Sequence, residues 1–362
     1  MHPLSGADWS TFTKVLQDAA PIDPRKLPAV LGAAAAILAR APFSALERAW
    51  LTGKLTPVER LAPPLVILGH WRSGTTHLYN ILGQAAFAYT PPVATGLPWN
   101  FLRLGVWLKS WLDKSLPKHR WIDNVAVTPD APQEDEIALA NMVPTSFYHG
   151  IYFPHDLAAR VRREVFFDDV PADEVTAWDQ AFLYFHQKID FAFGGRPLLI
   201  KNPVYTARLA HIRGLLPQAK FVHIRRNPYK VFVSMRNFYE KLLPPLALQP
   251  YDHVDIDALV LDIYREMMTR YDAQSADLGD NTLLELAYED LDADPIPELA
   301  RLYDQLDLGD FDKARPNFER YLSAVKSYQK NQFTLDRGTA DRIEAQWGPW
   351  IERWGYSRPA SA

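Results

Sequence analysis

The chain is 362 residues long and has no cysteine. That absence removes disulfides, thiolate metal sites and cysteine nucleophiles together, and no metal is expected. It is compatible with a cytoplasmic location. The N-terminal MHPLSGADWS fits this, because it lacks the basic start and apolar core of a signal peptide. Neither sign of charge dominates, with 39 Lys and Arg against 43 Asp and Glu and a net charge of −4. Nucleic acid is therefore not an expected partner, and any anion site must be local. Long hydrophobic runs are also missing. The longest, Leu27 to Ala39, contains Pro28 and is closed by Arg40. It is too short for the roughly 20 residues that span a bilayer, so a buried helix is expected there. No internal repeat or low-complexity tract stands out. What remains is an ordinary globular composition, 48% hydrophobic and 23% charged, ample for one large domain or two modest ones.

The most informative stretch is PLVILGHWRSGTTHLYNIL, from Pro64 to Leu82. Leu65 to Leu68 has the length and branching of a buried strand. A small-residue turn follows, and apolar residues return at Leu78, Ile81 and Leu82 with helical spacing. Strand, tight loop and helix make an anion cradle, because loop N–H groups and the helix N-terminus converge on one point. The spacing Gly69-x4-Gly74-Thr75-Thr76 is one residue away from the nucleotide P-loop G-x4-G-K-[ST]. Thr75 stands where that loop carries its lysine, and Arg72 supplies the positive charge as a planar fork of donors. Such a loop suits a metal-free transferred group with dispersed negative charge better than a magnesium-bound triphosphate.

Further along, residues 1 to about 60 read as helical, with Trp9, Phe12, Val15 and Leu16 on one face of the first helix. LPWNFLRLGVWLKSWL, residues 97–112, reads as a core helix or pocket wall, and a membrane-facing helix is the sharper alternative. PQEDE, ending in Glu134, Asp135 and Glu136, sits where a helix should begin. Acids there favour the helix dipole, and one of them could face a pocket as a general base. RPLLIKNP contains a strand, Leu198 to Ile200, that ends in Lys201, where open parallel sheets bind ligands. KFVHIRRNPYKVFVSM gives a strand at 221–224, a turn at Arg225-Arg226-Asn227-Pro228 and a helix carrying Ser234. NTLLELAYEDL gives a strand at 283–286 followed by Tyr288. Four strands separated by helical stretches argue for an α/β fold, a parallel β-sheet flanked by helices. The closing WGPWIERWGY reads as an aromatic packing segment.

These motifs resemble those of the sulfotransferases that use 3′-phosphoadenosine 5′-phosphosulfate (PAPS). Arg72, Ser73, Gly74, Thr75 and Thr76 are similar to the family's 5′-phosphosulfate loop. Arg226 and Ser234, eight positions apart, match its Arg-x7-Ser 3′-phosphate site. Lys201 resembles the strand-end lysine of the protein-tyrosine branch, which contacts the sulfuryl group and the bridging oxygen. Tyr288 matches a tyrosine that lies near the nucleotide, and Lys326 and Lys330 match a basic segment that closes over it. PQEDE resembles a bacterial branch. The resemblance spans about residues 64 to 356 and implies the P-loop-like sulfotransferase fold, with residues 61–362 as its domain. Residues 1–60 are then an extra helical segment of the same unit.

The implied reaction is in-line transfer of the sulfuryl group of PAPS to a hydroxyl or amine, leaving 3′-phosphoadenosine 5′-phosphate (PAP), with no metal. The chain departs from its relatives over the base. The protein-tyrosine branch has a glutamate after the first helix, where Pro91 to Gly96 here contains no acid. The histidine of the cytosolic branch has no aligned counterpart. Glu134 or Glu136 is expected to serve, with His149 and His77 behind them. The aromatic stretches at 97–112 and 145–153 suggest an apolar or lipid-like small-molecule acceptor, and peripheral membrane contact and oligomeric state stay open. The rival readings are a P-loop kinase or nucleotide hydrolase, disfavoured by the missing lysine, and a non-catalytic nucleotide-binding protein.

Overall fold

The structure, a computed structural model, describes residues 1–19, 21–108, 130–325 and 335–359. Its centre is a four-stranded parallel sheet of β1 Leu65–Leu68, β2 Leu199–Lys201, β3 Lys220–Arg225 and β4 Leu283–Ala287. The spatial order is β2-β1-β3-β4. Leu65 lies opposite Leu199 on one side and Lys220 on the other. All four expected strands fall on these within one residue at each end.

The apolar runs follow from burial on both faces. Val66 and Leu68 enter a large cluster that includes Phe12, Ile37, Phe232 and Trp347. Leu65 and Ile67 point the other way, into a smaller cluster with Leu78, Leu82, Leu302 and Phe318. This is the period of two of a strand, with no polar residue because neither face meets water.

Helices α1 Trp9–Gln17 and α2 Leu27–Leu51 precede the sheet. The crossover from β1 to β2 holds α3 Thr75–Leu82, α4 Pro92–Gly96, α5 Glu136–Leu139, α6 Phe147–Tyr152, α7 Leu157–Phe166 and α8 Ala172–Ala192. Helix α9 Leu209–Leu215 leads into β3, and α10 Pro228–Leu246 and α11 Ile256–Ser275 connect β3 to β4. The chain continues through α12 Tyr288–Ala293, α13 Pro295–Leu306, α14 Phe311–Val325 and α15 Arg337–Arg353. The connections after β1 and after β3 run to opposite sides of the sheet. The carboxyl ends of β1 and β3 therefore flank the switch point, where open α/β sheets place their ligands.

Two sequence expectations are corrected. The run from Leu27 is not a thirteen-residue buried helix. It continues past Arg40 and Pro42 as a 25-residue helix, and one stripe of it (Ala33, Ile37, Glu47 and Leu51) is buried. An all-round apolar sequence reads as interior, but only the inward stripe meets the protein. Arg40 does not end the helix because its guanidinium folds back onto the carbonyls of Ser5 and Ala7. On the first helix Trp9 shares the face of buried Phe12, their ring centres 5.9 Å apart, but lies at its edge with 47% exposure. The segment that begins at 97 is a core element on one side only. Phe101 and Leu104 are buried in a π-turn closed by Gly105 N–H to Asn100 O at 3.0 Å, whereas Val106 and Trp107 are 66% and 78% exposed. The aromatic C-terminal segment packs as expected. Trp347 is fully buried and stacks on Tyr264 at 4.0 Å.

Candidate functional site

The cradle forms at the end of β1. Gly69 has φ 144°, and a Cβ there would stand 2.5 Å from the carbonyl oxygen of Ile224. Its N–H donates to Thr206 Oγ1 at 2.8 Å. Gly74 has φ 104°, and a Cβ on it would stand 2.3 Å from the Tyr288 ring. Both positions require glycine, for conformation and for space. Between them Arg72 adopts a left-handed φ of 69°, a strain of about 1 kcal/mol or more. That conformation directs its Nε to Ser234 Oγ at 2.9 Å. The arginine of the first motif and the serine of the second, 162 positions apart, are therefore in direct contact.

Arg226 extends the same surface from the end of β3. One guanidinium nitrogen donates to Arg72 O at 3.1 Å, and the group lies 4.3 Å from the centre of the Tyr288 ring. Asn227 caps α10 by accepting from the N–H groups of Tyr229 and Lys230, with Pro228 in the first turn, where its missing N–H costs nothing. The turn is fixed by Asn227 N–H to Glu289 Oε1 at 3.0 Å, and Glu289 Oε2 accepts from Tyr356 at 2.8 Å.

Two buried polar atoms in this cradle, Ser73 Oγ and Arg226 Nε, have no hydrogen-bond partner among the described residues. A donor buried without a partner costs roughly 1–3 kcal/mol, and an anion placed between them would satisfy both. The donor set is hydroxyls, guanidinium groups and the N-terminus of α3, all suited to phosphate and sulfate oxygens. The residues present fit such a group.

The acidic cluster divides at the start of α5, with Glu134 in the loop before it, Asp135 at its N-cap and Glu136 in its first turn. Glu134 Oε1 accepts from Lys201 Nζ at 2.6 Å, and the same ammonium lies 3.3 Å from Thr76 Oγ1. Asp135 accepts from Tyr205 Oη at 2.5 Å and lies 3.2 Å from His186 Nε2. Glu136 is buried, and it accepts from Ser146 Oγ at 2.6 Å, Phe147 N–H at 2.8 Å and Asn202 Nδ2 at 2.7 Å. Burial raises its carboxyl above the usual range, against the lowering effect of Arg208 and these hydrogen bonds. Of the two glutamates expected as base, Glu134 is the one on the strand-end lysine beside the cradle. Glu136 ties α5 to α6 and to the residue after Lys201.

His149 is fully buried, with both ring nitrogens 2.8 Å from backbone carbonyls, those of Pro144 and Ala140. Burial holds its pKa down at about 4, although the carbonyls oppose this. It fastens the turn after α5 to α6 and has no nitrogen left for a substrate proton. His77 lies on α3 with its ring 6.3 Å from Tyr288. Lys326 and Lys330 lie outside the described residues. The sequence reading missed Thr206, which holds Gly69, and Asn202, which holds Glu136. Asn202 stands directly after Lys201, and that adjacency was the only available signal. It also missed the fully buried pair of Lys188 Nζ and Glu47 Oε1 at 2.8 Å, which joins α8 to α2 and has no local signature.

Comparison with known proteins gives the family and the fold. The family described as the sulfotransferase family matches residues 63–313. The chain is 32% identical over 299 residues to the omega-hydroxy-beta-dihydromenaquinone-9 sulfotransferase Stf3 of Mycobacterium bovis, over 82% of this chain and 76% of that protein. Stf3 of Mycobacterium tuberculosis matches with the same identity and coverage. Among solved structures, sulfotransferase STF9 from Mycobacterium avium has a TM-score of 0.67 at 16% identity, over 96% of both chains. Sulfotransferase STF1 from M. tuberculosis has a TM-score of 0.64 at 17% identity, over 92% of this chain and 90% of that one. At these identities the two structures speak for the fold.

Proposed function

The chain belongs to the sulfotransferase family, and from that premise we propose that it moves the sulfuryl group of PAPS to a hydroxyl of an apolar, lipid-like acceptor without a metal. The observation that carries the reading is the Lys201–Glu134 pair at 2.6 Å, set at the carboxyl end of β2 beside a cradle with two unsatisfied donors. PAPS supplies an activated sulfuryl group and leaves as PAP.

In this reading Arg72, Ser73 and the loop N–H groups through Thr76 hold the 5′ oxygens, while Arg226 and Ser234 hold the 3′-phosphate. Tyr288, under the Arg226 guanidinium, flanks the nucleotide. Fixed donors aimed at oxygens that gain charge in the transition state are the largest catalytic contribution such a site can make. Lys201 adds a buried ammonium at the reacting centre. Glu134 takes the acceptor proton, a contribution of about 10²–10⁴ in rate. Glu136 acts as a positioning residue, holding α5 against Asn202 so that Glu134 meets Lys201. The 32% identical relative is named as a sulfotransferase of a hydroxylated menaquinone, an apolar alcohol, which supports the acceptor class.

Calorimetric titration with PAP in metal-free buffer tests the donor site. Binding by the wild type that is lost in Arg226→Ala supports it, and magnesium-dependent ATP binding with none to PAP overturns it. A screen with labelled PAPS tests the acceptor. Reaction with hydroxylated isoprenoid quinones or long-chain alcohols is expected, and reaction with sugars alone overturns the acceptor class.

A further inference from the structure

The outward face of α2 is apolar and exposed along its whole length. Leu31, Leu38 and Leu46 are 69%, 56% and 63% exposed, and Leu27 and Phe43 are each 47% exposed. Their spacing puts Leu27, Leu31, Leu38 and Leu46 on one side, opposite the buried stripe. A monomer seldom leaves so large a contiguous apolar surface open to water. By length and composition the helix could cross a membrane, but its inner side is bound to the protein through the buried Glu47–Lys188 pair. It can therefore meet a bilayer only lengthwise.

Charge on α2 is one-sided. Its only charged residues are Arg40, Glu47 and Arg48. Glu47, the single acid, is fully buried, so the outward face carries none. Arg25 and Lys26 precede the helix, with Arg25 partnered by Asp23. At the other end Lys54 Nζ lies 4.4 Å from the centre of the Trp50 ring, and the Arg103 guanidinium lies 5.4 Å from it. Cations and tryptophan bordering an apolar stripe are the composition of a helix lying in a membrane interface, where long cationic side chains reach the headgroups. Val106 and Trp107 are exposed as well, on a neighbouring segment. Their segment is fixed to α2 by Asn100 Nδ2 to Ser44 Oγ at 3.0 Å and Arg103 N–H to Glu47 Oε2 at 2.8 Å.

We propose that the outward face of α2, with Val106 and Trp107, docks on an anionic lipid bilayer with the helix lying in the plane of the interface. A second copy of the chain fits this face less well. Both ends of α2 are cationic, so pairing two of these helices in either direction sets cation against cation. Docking would present the site to an acceptor dissolved in the membrane, and for that purpose it rests on the acceptor reading above. The segment between α4 and the π-turn already joins the two regions. Pro98 O accepts from Lys188 Nζ at 2.5 Å, and Trp99 Nε1 donates to Asn141 O, just beyond α5, at 2.9 Å.

The test is flotation of the full chain with vesicles of phosphatidylcholine containing about one third phosphatidylglycerol. Wild type is expected to float with these vesicles. The double variant Leu31→Glu and Leu38→Glu is expected to lose at least about tenfold in partitioning while keeping its PAP affinity and far-ultraviolet dichroism. Failure of wild type to float, or equal flotation by the variant, overturns the proposal. So does a wild-type dimer that the variant converts to monomer with no flotation by either, which makes the face a self-interface. Should the double variant not fold, Trp107→Ser is expected to reduce flotation several-fold, and an unchanged value is decisive against docking. Vesicle binding does not involve PAP, so failure of the donor reading would appear separately, as a wild type that floats but does not bind PAP.

Discussion

The two sides of the reacting centre are built differently. On the donor side, β1 and β3 each deliver a loop directly from a strand end, and the loops interlock through Arg72 with Ser234 and Arg226 with Arg72 O. Each group is within a few residues of the strand that positions it. On the acceptor side, Glu134 lies in the loop just before the four-residue helix α5 and is placed by contacts with distant elements. These are Lys201 on β2 and, through Glu136, Asn202 and Ser146. Under the proposed function, a constant sulfuryl donor suits a rigid local motif, whereas acceptor choice can change with the long crossover between β1 and β2.

The largest expected effect separates the two sides. Glu134→Gln should lower turnover by about a thousandfold and leave PAP affinity within about twofold, measured by single-turnover kinetics and calorimetry. An equal loss in both would mean that the sides are not separable. Acid provides a condition in which they should behave alike. His70 in the donor loop and His149 behind α5 are buried, and burial pushes both down to about 4 from an ordinary 6.5. Between those values the unfolded chain binds protons that the folded one refuses. The contribution of these two histidines is therefore complete above about pH 6.5 and falls as the pH drops toward 4, by up to about 3 kcal/mol for each. Thermal melts across that range should show one transition moving to lower temperature. Two transitions would mean that the sides unfold apart.

Arg226→Ala should weaken PAP binding by about 2 kcal/mol, some thirtyfold, with thermal stability little changed because the guanidinium lies partly exposed at the strand end. An unchanged PAP affinity would remove Arg226 from the donor site. The smallest effect sharpens the division between the paired acids. Glu136→Gln keeps an acceptor for Ser146 and Phe147 and should cost about 1 kcal/mol of stability with turnover within about threefold. A thousandfold loss there would return the base to Glu136 and leave Glu134 as the partner that holds Lys201.

The contrast between the sides also decides what could be read in advance. Strand, Gly-x4-Gly-Thr-Thr and helix form a local unit, since a buried strand, a turn needing positive φ and a helix N-terminus are all written within fourteen consecutive residues from Leu65 to Leu78. The same holds for β3, the Arg226 turn and Ser234 two helical turns on. Four strands in the right places, and the loops at their ends, were therefore legible in the chain itself. The choice between Glu134 and Glu136 was not. Two glutamates two positions apart at a helix start look alike in sequence, and only Lys201 and Asn202, more than sixty residues away, distinguish their surroundings. The exposure of α2 was equally hidden. Its composition dictates an apolar helix, but whether such a helix lies inside the protein or against a membrane depends on how much of its circumference other elements cover. Burial is a property of the assembled fold and is not encoded in any one segment.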